Sequence, residues 1–396
     1  MKAITNATVF TATGEALIPN GTVLVDGDKI VAVGSKSEVK VPPGTQEISA
    51  CGWFVMPGLI DAHQHFGHPD PREYIGRVEE HDREVERHHT AYEWLPVVVR
   101  NGRHLLENGV TTMRSMAELD AMDFIYRRFF DSGKLLGPRI LVSGRGVVTS
   151  FGSALDLCYI ANGVDEIRQA VRKCVADGVD WVKLFVSGGM TQGPHKLLMN
   201  EGEVGAAVDE AHRAGKKVAA HAIGDRSVRV CADAGVDTIE HATYQITDET
   251  VEAVRKNGSA CVLSNLWPYE IYVSGVKKGK RSGTREAAVD GTMRLYKAGV
   301  KLGLGADCVF VGSPLADEAC FLSEFGIPND KVLSIVTKEN AEICGVIDRI
   351  GTLEPGKFAD VIVVNGNPTE NMNVLRRVIL TMKGGKIVYD ATGRCA

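Results

Sequence analysis

The sequence predicts an α/β protein, a (β/α)8 TIM-like barrel over residues 57–349 inserted in a small β-sandwich domain built from both termini, 1–56 and 350–396. Three observations predict it. Between 57 and 349, eight short apolar runs alternate with longer stretches in which apolar residues recur at three- and four-residue spacing, the rhythm of repeated β/α units. Both ends of the chain read instead as short β-rich runs separated by turn residues. No Gly-rich phosphate turn follows the first strand of the alternating region, which disfavours an open doubly wound sheet.

The N-terminal runs are Ala7–Thr11, Thr22–Val25 and Ile30–Val33, with turn signals at Asn20-Gly21, Asp26-Gly27-Asp28 and Gly34-Ser35. A unit this short cannot bury a good core by itself and should pair with another. The C-terminal runs, Ile350–Leu353, Asp360–Val364, Val378–Met382 and Lys386–Tyr389, have the same grain and supply the partner. Between them, the first barrel strand is the apolar run from Phe54 to Ile60 that leads into His63 and His65. Strands two to eight are Gly109–Arg114, Arg139–Ser143, Trp181–Val186, Lys217–His221, Thr238–His241, Ala260–Leu263 and Val300–Gly305. Helical patterns such as Val164–Val171 and Glu201–Val208 lie between them. The segment Glu73–Arg103, dense in charge and containing His81, His88 and His89, reads as a solvated helix or helix and loop. A second metal site there is the lesser reading, because no apolar shell would orient its imidazoles.

The 396 residues are 44% hydrophobic and 24% charged, with a formal charge of -5, a soluble globular composition. Mild acidity gives no support for a nucleic-acid partner. Nine cysteines occur, at 51, 158, 174, 231, 261, 308, 320, 344 and 395, with no Cys-x-x-Cys pair. They read as reduced thiols in a reducing compartment. The start of the chain lacks a basic segment followed by an apolar one, and no stretch has the length of a membrane span. A cytoplasmic protein with a small-molecule substrate, no membrane partner and self-association into a homo-oligomer is the expectation.

In a barrel, chemistry sits at the C-terminal ends of strands. His63 and His65, spaced His-x-His, project from one strand face and make half of a metal site or a pair of ordinary loop histidines. Strand four carries Lys183 inside an apolar run, and strands five, six and eight end at His221, His241 and Asp307. Possible ligands at five separate strand ends are more specific than any one pair. A charged, unpaired lysine in an apolar strand costs several kcal/mol. Lys183 is therefore either half of a buried Lys–Asp pair or a lysine that reacts with CO2 to give a carbamate. The company of four histidines and an aspartate favours the carbamate.

With these residues in place, the chain resembles the amidohydrolase superfamily over nearly its whole length. The resemblance rests on Gly58-Leu59-Ile60-Asp61-Ala62-His63-Gln64-His65, Val182-Lys183-Leu184, Ala219-Ala220-His221-Ala222, Ile239-Glu240-His241, Gly305-Ala306-Asp307 and Gly351–Asp360. It is most similar to the branch of imidazolonepropionase-like and Xaa-Pro dipeptidase-like enzymes. The resemblance implies a binuclear centre of two divalent ions, with Zn2+ the expected metal. His63, His65 and Asp307 would hold the more buried ion, His221 and His241 the other, and carboxylated Lys183 would bridge them. A metal-bridging hydroxide would be the nucleophile, with Asp307 relaying its proton.

The implied activity is hydrolysis of an amide-type C–N bond, as in an N-acyl amino acid, a peptide-like amide, a carbamate or an anilide. The rivals are a deaminase of a cyclic amidine or aminated heterocycle and a non-enzymatic scaffold relative. Related deaminases usually lack the strand-four lysine, and scaffolds tend to lose ligands. Two turns depart from the branch: Arg114-Ser115-Met116-Ala117 stands where Arg-Asp is usual, and Thr149-Ser150-Phe151-Gly152 where Gly-Gly-His is common. Ser150 and Phe151 are thus candidate substrate-binding residues that suit a neutral, flat substrate portion. Asn265 and Trp267 in the loop after strand seven are candidate pocket walls. Tyr244, three residues after His241, is a candidate oxyanion donor and substrate contact. His195 reads as a surface residue.

Overall fold

The computed structural model describes residues 1–67, 95–152, 154–189, 196–264, 284–308 and 314–393. The N-terminal segment forms β1 (Lys2–Val9), β2 (Ile18–Asp26), β3 (Lys29–Ser35), β4 (Gln46–Ser49) and β5 (Phe54–Pro57). Gly27, at φ 57°, lets the chain reverse between β2 and β3. Strand β1 pairs antiparallel with β2 and parallel with both β4 and β5.

The alternating region follows. Its strands are β6 (Leu59–His65), β7 (Val110–Ser115), β8 (Arg139–Leu141), β9 (Gly146–Val148), β10 (Cys158–Ile160), β11 (Trp181–Phe185), β12 (Lys217–His221), β13 (Thr238–Glu240), β14 (Ala260–Leu263), β15 (Leu302–Leu304) and β16 (Asp307–Cys308). They form two parallel sheets, in the orders β10-β9-β11-β12-β13-β14-β15 and β16-β6-β7-β8, a TIM-barrel-like α/β arrangement. Helices alternate with them. In Gly163–Asp177 the buried residues are Ile167, Ala170, Val171 and Cys174, the spacing of one helical stripe. Glu201–Arg213 opens with a reciprocal capping box between Asn200 and Glu203.

Bonds between the two sheets hold their ends together. The amides of Asp180 and Trp181 donate to the Val142 carbonyl at 2.8 and 3.2 Å. At the other junction the Asn340 amide donates to the carbonyls of Ile60 and Leu304 at 2.6 and 2.8 Å and accepts from Leu304 N–H at 3.0 Å. One side chain thereby stitches β6 to β15. Asn340 follows a π-helical turn, Ile335–Glu339, the kind of irregularity common at functional positions.

The chain then returns to the first sheet through β17 (Val361–Val364), β18 (Val378–Lys383) and β19 (Lys386–Asp390). Strand β17 pairs with β5, Val363 opposite Val55, so both ends of the chain share one hydrogen-bonded sheet. Ile4, Val9, Val23, Val55, Val363 and Met382 are among the apolar residues of its core. Each such side chain contributes about 1.5–3 kcal/mol on burial.

Two expectations differ from what is observed. The third strand is broken: Asp123 accepts the N–H groups of Ser143 and Gly144 at 3.0 and 2.9 Å, and Gly144 has φ 59°, so the run expected to 143 ends at Leu141 and resumes as β9. Ile350–Leu353 is a turn rather than a strand, because Gly351 sits at φ 95°. Of the charged segment 73–103, only Leu95–Arg103 is described, as part of the helix Leu95–Glu107; His81, His88 and His89 lie outside the described residues.

Candidate metal centre

Strand β6 is buried along its length except for half-buried His65. Asp61, fully buried, anchors it: its carboxylate accepts the N–H of His63 at 3.2 Å, the N–H of Ala306 at 3.1 Å and the side-chain amide of Gln64 at 2.9 Å. The backbones leading to His63 and to Asp307 are thus tied to one group. Burial pushes the Asp61 carboxyl up to about 7 despite these donors.

His63, His65 and Asp307 converge, with one ligand atom from each lying within 4.8 Å of the others. The Nε2 of His63 is 3.1 Å from Asp307 Oδ1, and the Nε2 of His65 is 3.5 Å from it. The other nitrogen of each ring is occupied: His63 Nδ1 lies 2.6 Å from Glu240 Oε2, and His65 Nδ1 lies 2.9 Å from the Ala117 carbonyl oxygen. Gly305 makes the approach possible. A Cβ there would stand 2.5 Å from both the Cβ and the N of His63, so only glycine fits between the two ligand-bearing strands.

His221 and His241 stand beside this trio. The ring centroids are 4.8 Å apart for His63 and His241 and 4.7 Å apart for His221 and His241. Register explains the level: His221 pairs with Phe185 on one side and Glu240 on the other. His241 Nδ1 is 2.8 Å from the Ser264 hydroxyl. Both His241 and Asp307 have left-handed backbones, φ 64° and 65°, a conformation that non-glycine residues adopt at a cost and that clusters at functional sites. Burial lowers His241 to about 3 and drives His221 well below its ordinary value, so both rings are neutral, the form that binds a metal. Burial also pushes Asp307 upward, but His63, His241 and His65 outweigh it and hold the carboxyl well below its usual range.

Lys183 is fully buried in β11, and its Nζ lies 4.9 Å from the Phe185 ring centroid. Burial lowers its amine to about 8 against the attraction of Glu240 and Asp307. Among the described residues, Lys183 Nζ and His221 Nε2 are buried polar atoms with no hydrogen-bond partner. Native proteins seldom leave such atoms without a partner. Nitrogen and oxygen donors, two orphaned nitrogens and neutral imidazoles are the set a divalent ion requires. The residues therefore fit the expected metals.

A deeper layer escaped the sequence reading. Glu240 and Arg114 are both fully buried and paired at 2.9 Å. Burial pushes the Glu240 carboxyl up, but Arg114 and His63 more than offset it and the net displacement is downward. The available signal was the pair of polar residues at alternate positions of one short strand, Thr238 and Glu240, matched by Thr112 and Arg114 on β7.

The candidate substrate contacts are distributed differently. Ser150 N–H and hydroxyl both donate to Asn162 Oδ1, at 3.1 and 3.0 Å. Phe151 is 56% exposed, with Lys196 Nζ 5.8 Å from its ring. Tyr244 is half-buried on the turn after His241. Asn265, Trp267 and His195 lie outside the described residues. No helix among those described is long and apolar enough to cross a membrane.

Candidate ligands at strand ends on a TIM-barrel-like frame point to a class, and comparison with known proteins agrees: residues 54–388 match the amidohydrolase family model, so the chain belongs to the amidohydrolase family. Ochratoxinase of Aspergillus niger is 28% identical over 92% of this chain and 82% of its own length. A 5-methylthioadenosine/S-adenosylhomocysteine deaminase of Symbiobacterium thermophilum is 24% identical over 98% and 93%. Among solved structures, a Xaa-Pro dipeptidase with methionine in its active site superposes with a TM-score of 0.84 at 25% identity, covering 98% of this chain and 99% of that one.

Proposed function

We propose that the protein hydrolyses an amide-type C–N bond of a small molecule at two divalent ions, zinc by ligand preference, in a (β/α)8 barrel spanning 57–349 between the two parts of a terminal β domain. The observation that carries this reading is the pair of partnerless buried nitrogens, Lys183 Nζ and His221 Nε2, beside the trio of His63, His65 and Asp307. His63, His65 and Asp307 would hold one ion, and His221 and His241 the other. The uncharged amine of Lys183 would add to CO2, forming an N–C bond as one C–O π bond opens and releasing one proton, and the resulting carbamate would be an oxygen ligand for the ions. Ions held there supply Lewis acidity, which brings the pKa of water toward neutrality and polarises a carbonyl.

The chain's own groups manage the protons. Asp307, kept ionised by the imidazoles around it, accepts the proton of the attacking water and delivers it to the departing nitrogen. Ser264 and Ala117 orient the rings of His241 and His65. The likeness to a Xaa-Pro dipeptidase, an enzyme of a peptide bond, supports an amide as the scissile group. The exposed ring of Phe151 favours neutral amides, carbamates or anilides over free dipeptides.

Deamination is the second reading, motivated by the match to the deaminase; Lys183 opposes it. Elemental analysis after loading with zinc and bicarbonate separates the two. About two zinc ions per chain are expected, and one or fewer would contradict the binuclear reading. In parallel, N-acyl amino acids, dipeptides, carbamates and anilides should release amine. Ammonia release from an aminated heterocycle, with none of these cleaved, would replace hydrolysis by deamination.

A further inference from the structure

We propose that Glu240, clamped by Arg114 and Thr238, is a positioning residue that fixes the tautomer of His63 and thereby sets the affinity of the buried metal position. This rests on the metal reading above.

The geometry is closed at every atom. Glu240 Oε2 faces His63 Nδ1 at 2.6 Å. Glu240 Oε1 accepts from the Arg114 guanidinium at 2.9 Å and from the Thr238 hydroxyl at 2.6 Å. Thr238 in turn accepts from a second guanidinium nitrogen of Arg114 at 3.1 Å, so both roles of its hydroxyl are used. The third contact of Arg114 runs from Nε to the Ala62 carbonyl at 2.6 Å, one residue before His63. The guanidinium also lies 4.4 Å from the Trp181 ring centroid. His63, Arg114 and Glu240 are each wholly buried. The brace thus joins β6, β7, β11 and β13 beneath the ligands, and it needs the planar fork of arginine rather than a point charge.

A carboxylate can only accept. Nδ1 of His63 must therefore carry a proton, so an ion held between Asp307 and His65 would take the lone pair of Nε2, the nitrogen that faces Asp307 at 3.1 Å. At Nδ1 the neighbouring rings meet neutral groups instead: His65 a backbone carbonyl, and His241 a serine hydroxyl that can donate or accept. A glutamine at 240 would meet two donors at the Oε1 position. Its amide oxygen must turn toward Arg114 and Thr238, and its NH2 then faces His63 Nδ1. That forces the proton onto Nε2, where the metal would bind.

The test uses zinc titration against a chromophoric chelator, with 15N NMR of the zinc-loaded wild type labelled at histidine. Glu240→Gln should weaken one of the two zinc positions by about 10–100-fold, the range for loss of an outer partner of a metal ligand. Adding Arg114→Met frees the amide to rotate and should restore several-fold of that loss. The wild-type His63 signal should show a proton on Nδ1 and metal at Nε2. Wild-type affinity at both positions in Glu240→Gln, or metal at Nδ1 of wild-type His63, overturns the inference. If Glu240→Gln does not fold, the wild-type NMR result decides alone. A wild type that binds no zinc defeats the metal reading itself, which is distinguishable from zinc binding that is indifferent to residue 240.

Discussion

Carboxylation of Lys183 should follow the pH dependence of a buried amine. Burial brings Nζ from 10.5 to about 8, against Glu240 and Asp307. At pH 7 about one Lys183 in ten is then the uncharged amine that reacts with CO2, compared with about one in three thousand for an ordinary lysine, a gain of about 300-fold. The sign is set by the lowered value: the reactive form grows about tenfold per unit up to pH 8 and then levels, whereas an ordinary lysine keeps gaining to beyond pH 10. His221 and His241, both displaced below their ordinary value, stay neutral across this window. The assay exposes metal-free protein to 13CO2 at fixed dissolved concentration between pH 6 and 10 and follows the carbamate by 13C NMR. Subtracting Lys183→Gln removes carbamates of surface amines. A rate that levels near pH 8 is expected. No signal beyond that of Lys183→Gln, or a rate still rising tenfold per unit at pH 9–10, refutes the reasoning.

Asp307→Asn keeps an oxygen ligand but loses the proton acceptor, so kcat should fall far more than KM changes in steady-state assays. Gly305→Ala places a Cβ 2.5 Å from the His63 backbone nitrogen; the strands must separate, and thermal unfolding of the metal-free protein should show a loss of about 1–3 kcal/mol, with zinc retained less tightly. Glu118 is buried, and burial, then Asp123, raises its carboxyl from 4.5 to about 8. A raised value means that the stability it contributes, complete below pH 4.5, is lost as pH climbs to 8. Glu118→Gln should flatten that decline, read as a smaller drop in denaturant midpoint between pH 5 and 8 than in wild type.

The repeat and the candidate ligands stand out in the sequence because both are local. Each strand run is a few residues rich in apolar side chains, with His63, His65, His221, His241 and Asp307 at or near the ends of such runs and Lys183 inside one. The break in the third strand was not legible, because it depends on Asp123 reaching the amides of Ser143 and Gly144 from another element. Arg114 was read as part of an unusual turn, whereas its side chain runs inward to Glu240. Glu240, adjacent to His241 in sequence, likewise looks incidental until Arg114 on β7 shows what it binds. The left-handed backbones of His241 and Asp307 were not legible either, since Asp and His, though enriched in that conformation among non-glycine residues, adopt it only in a minority of cases.

The pairing of Val55 with Val363 has a consequence for synthesis. Strand β5 leaves the ribosome roughly three hundred residues before β17 exists to cover its edge, an interval of about 15–60 s at ordinary translation rates. Throughout that time Phe54, Val55 and Met56, all fully buried in the finished protein, sit on a strand with a missing neighbour. Unsatisfied edges of this kind invite pairing with other chains. The terminal sheet is thus completed only after the whole alternating region has been made, although β1 to β5 precede that region. Expression yield should depend on holdase chaperones that shield β5 more than on the folding speed of the catalytic region.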